Sequence, residues 1–175
     1  GIVDVANWKL DTVAMRPRRD LDGVFDDETN DDEALWGVYA VGQPSLLLAS
    51  TIDLYYLGFR DNFGSFVQAV EDEKRHTVGA RISGDTRGWD WDWEAAYQFG
   101  SFGDGDISAW TIASDTGFTF AEAPLLPRLG LRANIASGDD DPNDSDLQTF
   151  NPLFPRGNYF SQAAVLGPRN FVNVN

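Results

Sequence analysis

Strict alternation of apolar and mostly polar residues between Trp89 and Ser101 constrains the fold of this chain more than any other feature. One set is Trp89, Trp91, Trp93, Ala95, Tyr97 and Phe99; the other is Asp90, Asp92, Glu94, Ala96, Gln98 and Gly100. Successive side chains of a β-strand point to opposite faces, so this period predicts a strand with one aromatic and one acidic face. A soluble sandwich strand would favour Val, Ile and Leu on its apolar face, whereas Trp and Tyr near strand ends are typical of a membrane interface.

Similar but less regular alternation recurs along the whole chain. The further predicted strands are Asn7 to Met15, Ala34 to Val41, Leu48 to Tyr56, His76 to Ser83, Ser108 to Phe120, Arg128 to Gly138 and Val165 to Val174. Together with Trp89 to Ser101 they give about eight strands and no convincing amphipathic helix, which indicates an all-β, antiparallel fold. No stretch approaches the roughly 18 unbroken apolar residues that a membrane-spanning helix needs.

The predicted connections alternate in length. Short ones are Gly42 to Ser45, Gly84 to Gly88 and Ala121 to Leu126; long polar ones are Arg16 to Glu33, Arg60 to Lys74 and Gly138 to Ala164. The one exception is the connection Phe102 to Asp106, which is short although the alternation predicts a long connection there. Outer-membrane barrels have short turns on one side and long loops on the other. We therefore expect an up-and-down transmembrane β-barrel. No signal sequence begins at Gly1, and Phe171 to Asn175 stops in the middle of a strand-like pattern, so residues 1–175 are expected to be a single barrel segment that is truncated at both ends.

Composition excludes several classes of function. The formal net charge is -15, and the 13 Lys and Arg residues are scattered, which argues against nucleic-acid binding. The absence of cysteine excludes thiol nucleophiles and thiolate metal sites, and it suits a protein that crosses an oxidising periplasm. His76 is the only histidine, so no metal site with two histidines exists, and we interpret it as an interfacial residue.

Five short runs carry a family resemblance. They are RHTVGAR at 75–81, WEAAYQFG at 93–100, PRLGLRAN at 127–134, ASGD at 136–139 and FNPLFPRGNYF at 150–160. In these runs the chain resembles the alginate export family of bacterial outer-membrane proteins. The resemblance implies a monomeric barrel with more strands than this chain contains. It also implies that the barrel exports, or in relatives takes up, polysaccharide or other polar solutes.

If the polar strand faces line a channel, a set of polar side chains meets the solute. That set is Lys9, Asp11, Asp53, Arg81, Asp90, Asp92, Glu94, Gln98, Arg128, Arg132 and Asn134. An anionic polysaccharide requires cations in the wall, and guanidinium pairs bidentately with uronate carboxylates, which favours Arg81, Arg128 and Arg132. Alternatively, the neighbouring carboxylates neutralise these arginines in a cross-strand ladder. The sequence leaves both open.

A glycosidase is an alternative function, because each carboxylate in the series Asp90, Asp92 and Glu94 lies about 6 to 7 Å from the next along a strand. These distances overlap the carboxylate separations found in glycosidases. Such spacing arises on any acidic strand face, and no apolar pocket that would raise one pKa is legible beside these residues. We therefore expect a protein that is not an enzyme and that uses no cofactor.

Two loops carry weaker signals. Asp139, Asp141 and Asp144 offer a weak possibility of calcium binding, although a solvated loop without metal is the favoured interpretation. The segment Asn151 to Phe160 is too apolar for a free loop, so it is expected to fold back onto the barrel. Phe154, Arg156, Tyr159 and Phe160 then become candidates for a constriction, and folding inward and packing on the rim are equally compatible with the sequence.

The leading functional hypothesis is an outer-membrane, porin-like channel for alginate-like polysaccharide or other polar or anionic solutes. Its expected partners are the solute, outer-membrane lipid and lipopolysaccharide, and it is expected to be monomeric. A second hypothesis is a structural or adhesive barrel without transport activity. A third is a soluble β-sandwich module that binds carbohydrate.

Overall fold

The computed structural model describes residues 1–5, 7–19, 21–23, 25–44, 50–141, 143–153 and 171–174. Its strands are β1 (Ile2–Val5), β2 (Trp8–Met15), β3 (Arg18–Arg19), β4 (Glu28–Thr29), β5 (Glu33–Gly42), β6 (Ser50–Ser65), β7 (Val70–Thr86), β8 (Trp89–Phe102), β9 (Gly105–Thr119), β10 (Arg128–Ala136) and β11 (Phe171–Val174). These residues contain no helix, which confirms the all-β prediction. Accordingly, no membrane-crossing helix is found in the described ranges.

Nine strands form one antiparallel sheet in the order β1-β2-β5-β6-β7-β8-β9-β10-β11, and β3 and β4 form a separate two-stranded ribbon. Each strand of the large sheet pairs with the strands before and after it in that order, which is an up-and-down meander. β1 and β11 each have one neighbour, so the sheet is open across the described residues. The antiparallel arrangement is confirmed, whereas closure into a barrel stays a prediction.

Most predicted strands are found with small shifts at their ends, and β8 covers the alternating stretch from which the prediction began. The long loop predicted from Arg60 to Lys74 is wrong. Pairing of β6 with β7 continues past a register shift between Asp61 and Gly64 to the pair Ser65 and Val70, so the connection spans only residues 66–69. The short strands β1, β3 and β4 were not predicted, and residues 165–170 lie outside the described ranges.

The predicted sorting of loops by length is weaker than expected. The connections before β5 and before β11 are long and lie at the same end of the sheet. At that same end, however, β6 turns into β7 within residues 66–69, and β8 turns into β9 within residues 103–104. A long hairpin therefore replaces the loop expected from Arg60 to Lys74, because polar residues beyond the apolar stretch still complete a backbone ladder, whereas the β8–β9 connection is short as the sequence predicts.

The register gives the large sheet two chemically different faces. We call the side bearing Arg81, Glu94 and Asp115 the polar face, and the side bearing Trp93 and Ile112 the apolar face. On the apolar face Trp93 is 48% exposed and Ile112 is 49% exposed, although both lie in the middle of long strands. Large apolar side chains therefore cover this side without any described segment packed over them.

Aromatic rings gather near both ends of the apolar face. At one end, the His76 ring lies 5.9 Å from Tyr56 and 5.3 Å from Phe99. At the other end, the Trp89 and Phe118 rings meet edge to face at 5.1 Å. The position of His76 in an aromatic row agrees with its interpretation as an interfacial residue.

Residues 147–153, which we call the crossing segment, lie over the polar face. Leu147 is fully buried with Phe102 and Ile107, and it forms a parallel bridge with Ile107. Phe150 packs against a small cluster of Ala96, Ala109 and Ala136. The small side chains of these alanines, on β8, β9 and β10, thus leave space for the crossing segment to pack against the sheet.

Gly100 is expected to be intolerant of any side chain. Its φ of +145° is unfavourable for other residues, and a Cβ there would lie 1.9 Å from the Lys74 carbonyl oxygen. Gly100→Ala should lower the free energy of unfolding by about 1–3 kcal/mol. Denaturant unfolding followed by tryptophan fluorescence measures this loss, with Ser101→Ala as the control. Equal stability of the two variants would contradict the expectation.

Candidate functional site

All the predicted channel-lining residues lie on the polar face. They are Lys9 and Asp11 on β2, Asp53 on β6, Arg81 on β7, Asp90, Asp92, Glu94 and Gln98 on β8, and Arg128, Arg132 and Asn134 on β10. The pairing of β2 through β10 brings them together from five strands. They divide between an open zone near the β7–β8 turn and a zone that the crossing segment covers.

Arg81 is the centre of the first ion-pair group in the open zone. Its Nε and Nη2 donate to the two carboxylate oxygens of Asp92, both at 2.6 Å. Its Nη1 donates to Asp53 at 3.3 Å, and the Tyr39 hydroxyl donates to the same Asp53 oxygen at 2.8 Å. Three strands, β6, β7 and β8, therefore share one neutralised arginine.

Asp115 is the centre of the second group. Arg128 Nη2 donates to it at 2.7 Å, and Arg132 donates through Nε at 2.9 Å and Nη2 at 2.5 Å. Arg128 also donates to Asp90, at 2.6 Å from Nη2. Asp115 was not among the predicted residues, although the alternation of β9 places it on this face. It joins β9 to β10 through both arginines.

These contacts bear on the two alternatives that the sequence left open. The described arginines of the open zone all lie in ion pairs with carboxylates of other strands, whereas Lys9 pairs at 3.2 Å with Asp11 of its own strand. The structure therefore contains the cross-strand ladder, and contact of these arginines with a solute stays a prediction. Such partly exposed pairs contribute little to stability, but they cancel charge along the face.

Between the two groups lies a polar depression of about 330 Å³. Its lining includes Arg81, Asp92, Glu94, Asp115, Arg132 and Asn134. Glu94 differs from the other carboxylates, because its described partner is the Tyr55 hydroxyl at 2.6 Å and not a cation. The Tyr55 ring in turn stacks on Tyr39 at 5.4 Å.

The covered zone is organised by Gln98, whose side-chain amide pairs with the backbone of Asn151. The Asn151 N–H donates to Gln98 Oε1 at 2.8 Å, and Gln98 Nε2 donates to the Asn151 carbonyl at 2.7 Å. A second bond from Nε2 to Thr77 Oγ1 measures 3.1 Å. The amide thus imitates a peptide group and attaches the crossing segment to β8.

Arg75, on β7, supports this attachment through further hydrogen bonds. It is 0% exposed, and its Nε donates to Glu73 at 2.5 Å. Its Nη1 donates to Gln98 at 2.8 Å and to the Thr149 carbonyl at 3.3 Å. A buried charge of this kind is tolerated only when it is paired and hydrogen-bonded. Sequence reasoning missed Glu73 and Arg75 as site residues, because Glu73 fell within the predicted loop and Arg75 just beyond it.

The structure shows where Gln98 and the beginning of the predicted fold-back segment lie. Gln98 lies on the predicted face but is 1% exposed, so it holds the crossing segment and does not face open space. Asn151, where the predicted fold-back begins, is hydrogen-bonded to Gln98 on the polar face. The constriction candidates Phe154, Arg156, Tyr159 and Phe160 lie outside the described residues.

The acidic loop after β10 is held by hydrogen bonds within the loop and by one bond from the β6–β7 turn. Asp139 accepts from Gln68 and from the Asp141 backbone. The backbone and side-chain amides of Asn143 both donate to Asp141 at 3.1 Å and hold the pKa of that carboxyl below its usual value. In the described ranges no group of three or more candidate metal ligands comes together. The favoured interpretation of Asp139, Asp141 and Asp144, a solvated loop without metal, stays a prediction.

Comparison with known families gives one match. The model of the family described as "Alginate export" matches residues 2–175. This match covers nearly the whole chain, including the first part, which the short runs in the sequence did not reach. No curated protein and no solved structure matches the chain.

Gln98→Ala is expected to release the crossing segment. The change removes both bonds to Asn151 and the bonds that the amide makes with Arg75 Nη1 and Thr77 Oγ1, at a cost of about 1–3 kcal/mol. Limited proteolysis with mass spectrometry should show faster cleavage within residues 137–153, while far-ultraviolet circular dichroism is unchanged. Gln43→Ala, at the exposed end of β5, is the matched control. Cleavage at the rate of the unmutated protein would contradict the assigned clamp.

Proposed function

The chain belongs to the alginate export family, and from that premise we propose that it forms part of the wall of an outer-membrane β-barrel. The barrel passes polysaccharide or other polar solutes along the polar face. The observation that carries the proposal is the pairing of an exposed apolar face with a continuous, ion-paired polar face on one meander. Such a sheet is suited to lipid on one side and water on the other.

The dimensions of the apolar face support this proposal. Trp89 and Phe99 belong to opposite aromatic rows and lie ten residues apart on β8. Ten residues span about 33 Å along a strand. At the tilt of about 40° that is usual in membrane barrels, this length covers about 25 Å of membrane, the height of a lipid-facing band.

The residues between the aromatic rows are also compatible with lipid. On β7 and β8 they include Val78, Ile82, Trp93 and Ala95, and none of these carries a charge. Outer-membrane lipid is therefore the proposed partner of the apolar face, and the protein is proposed to act as a monomer. Lipopolysaccharide is the proposed neighbour of the acidic loops, which lie beyond the strand ends.

The crossing segment supplies a means of restricting passage. It lies over β8, β9 and β10 on the side where the solute would move, and its backbone is attached through Gln98 and Arg75. We propose that it narrows the channel at the end with the long loops. Passage then requires no covalent step and no cofactor, because the wall supplies only hydrogen bonds and charge.

Reconstitution of the full-length protein into liposomes tests the proposal. The vesicles should become permeable to oligosaccharides, with a sharp size limit set by the narrowest part of the channel. Intact vesicles containing inserted protein would instead favour the structural or adhesive barrel. Solubility of the folded protein without detergent would favour the soluble β-sandwich module.

A pair of substitutions tests which face meets lipid. Ala95→Arg places a charge in the middle of the apolar face and should destabilise the inserted protein by about 2–4 kcal/mol. Ala113→Arg is the matched control, because Ala113 pairs with Glu94 one strand away on the polar face. Folding into detergent micelles or vesicles, followed by gel mobility without heating, measures the difference. Equal folding of both variants would count against a lipid-facing apolar side.

A further inference from the structure

One donor edge of each arginine in the open zone is already occupied. In each of Arg81, Arg128 and Arg132, Nε and Nη2 donate to a single carboxylate, which is Asp92, Asp90 and Asp115 respectively. This edge is one that a uronate carboxylate would use for bidentate pairing. An incoming uronate would have to displace an intramolecular carboxylate that is held at high local concentration.

The same zone also has an excess of negative charge. Among the described residues, its cations are Lys9, Arg81, Arg128 and Arg132; its carboxylates are Asp4, Asp11, Asp53, Asp85, Asp90, Asp92, Glu94 and Asp115. Glu94 lies within the depression and has the Tyr55 hydroxyl as its described partner. An acidic residue in the wall repels an anionic solute, because the sign of charge around a channel selects the sign of the permeant.

The depression suits hydroxyl groups better than carboxylates. Its volume of about 330 Å³ falls in the range of small-ligand pockets, about 300–1,000 Å³. Carboxylates of Asp92 and Glu94 accept hydrogen bonds, whereas the Asn134 side-chain amide both donates and accepts. A sugar hydroxyl also does both, so it can bind beside an existing ion pair without breaking it.

From these three observations we propose that the open zone binds uncharged, polyhydroxylated sugar chains and discriminates against polyuronates. The inference rests on the proposed channel function and names the class of its solute. The ion pairs act as the selective element, because they withhold guanidinium from an anion and still offer hydrogen-bond partners to a neutral chain.

Blockade of single-channel current in planar bilayers tests this proposal on the full-length protein. The probes are a neutral gluco-oligosaccharide and an oligouronate of equal length. The neutral oligomer should block at a concentration at least about tenfold lower, a difference of about 1.4 kcal/mol. Asp115→Asn should narrow this difference severalfold, because it releases the edges of Arg132 and one bond of Arg128. Glu94→Gln should narrow it as well, by removing repulsion without releasing an arginine.

Asp104→Asn is the matched control, because Asp104 lies in the exposed β8–β9 turn, at the opposite end of the sheet from the open zone, and makes no ion pair among the described residues. Stronger blockade of the unmutated channel by the oligouronate would overturn the inference and leave the channel function intact. The inference would also be overturned if Asp115→Asn and Glu94→Gln changed the preference no more than Asp104→Asn does. If the full-length protein conducts no current, the proposed function fails and the inference fails with it.

Discussion

The antiparallel register from β5 to β10 is the constraint on which the rest of the structure depends. Each side chain keeps its face across every strand pair, so a shift by one residue would exchange the two faces completely. With the observed register, Trp93 and Ile112 lie on the apolar face, and Arg81 lies beside Glu94 and Asp53 on the polar face. The separation of ion pairs from aromatic rows follows from this single arrangement.

Two kinds of polar contact then divide the polar face. The arginines near the β7–β8 turn are partly exposed, and their pairs mainly determine the local field. Arg75 and Gln98 are buried, where an unsatisfied group is costly, so their bonds determine where the backbone of residues 149–151 lies. Polar side chains therefore set the local charge in the open zone and fix the position of the backbone in the covered zone.

Alternation predicted the all-β class, the central strands and the face of each candidate channel-lining residue, because period two is a local property of the sequence. It did not predict the length of β6 and β7, since paired polar strands beyond an apolar stretch look like loops. It also could not reveal the partners of Asp115 or the clamp on Asn151. Those contacts depend on which strands become neighbours and on a chain reversal after β10.

The hydrogen bonds that attach the crossing segment use the backbone of Asn151 and the carbonyl of Thr149, and only weakly a side chain of that segment. Leu147 and Phe150 hold the same segment by packing against the sheet. Substitutions at its other positions can therefore accumulate while its path across the sheet is retained. In the proposed channel, such substitutions would alter the shape and charge of the opening in small steps and so adapt the wall to new solutes.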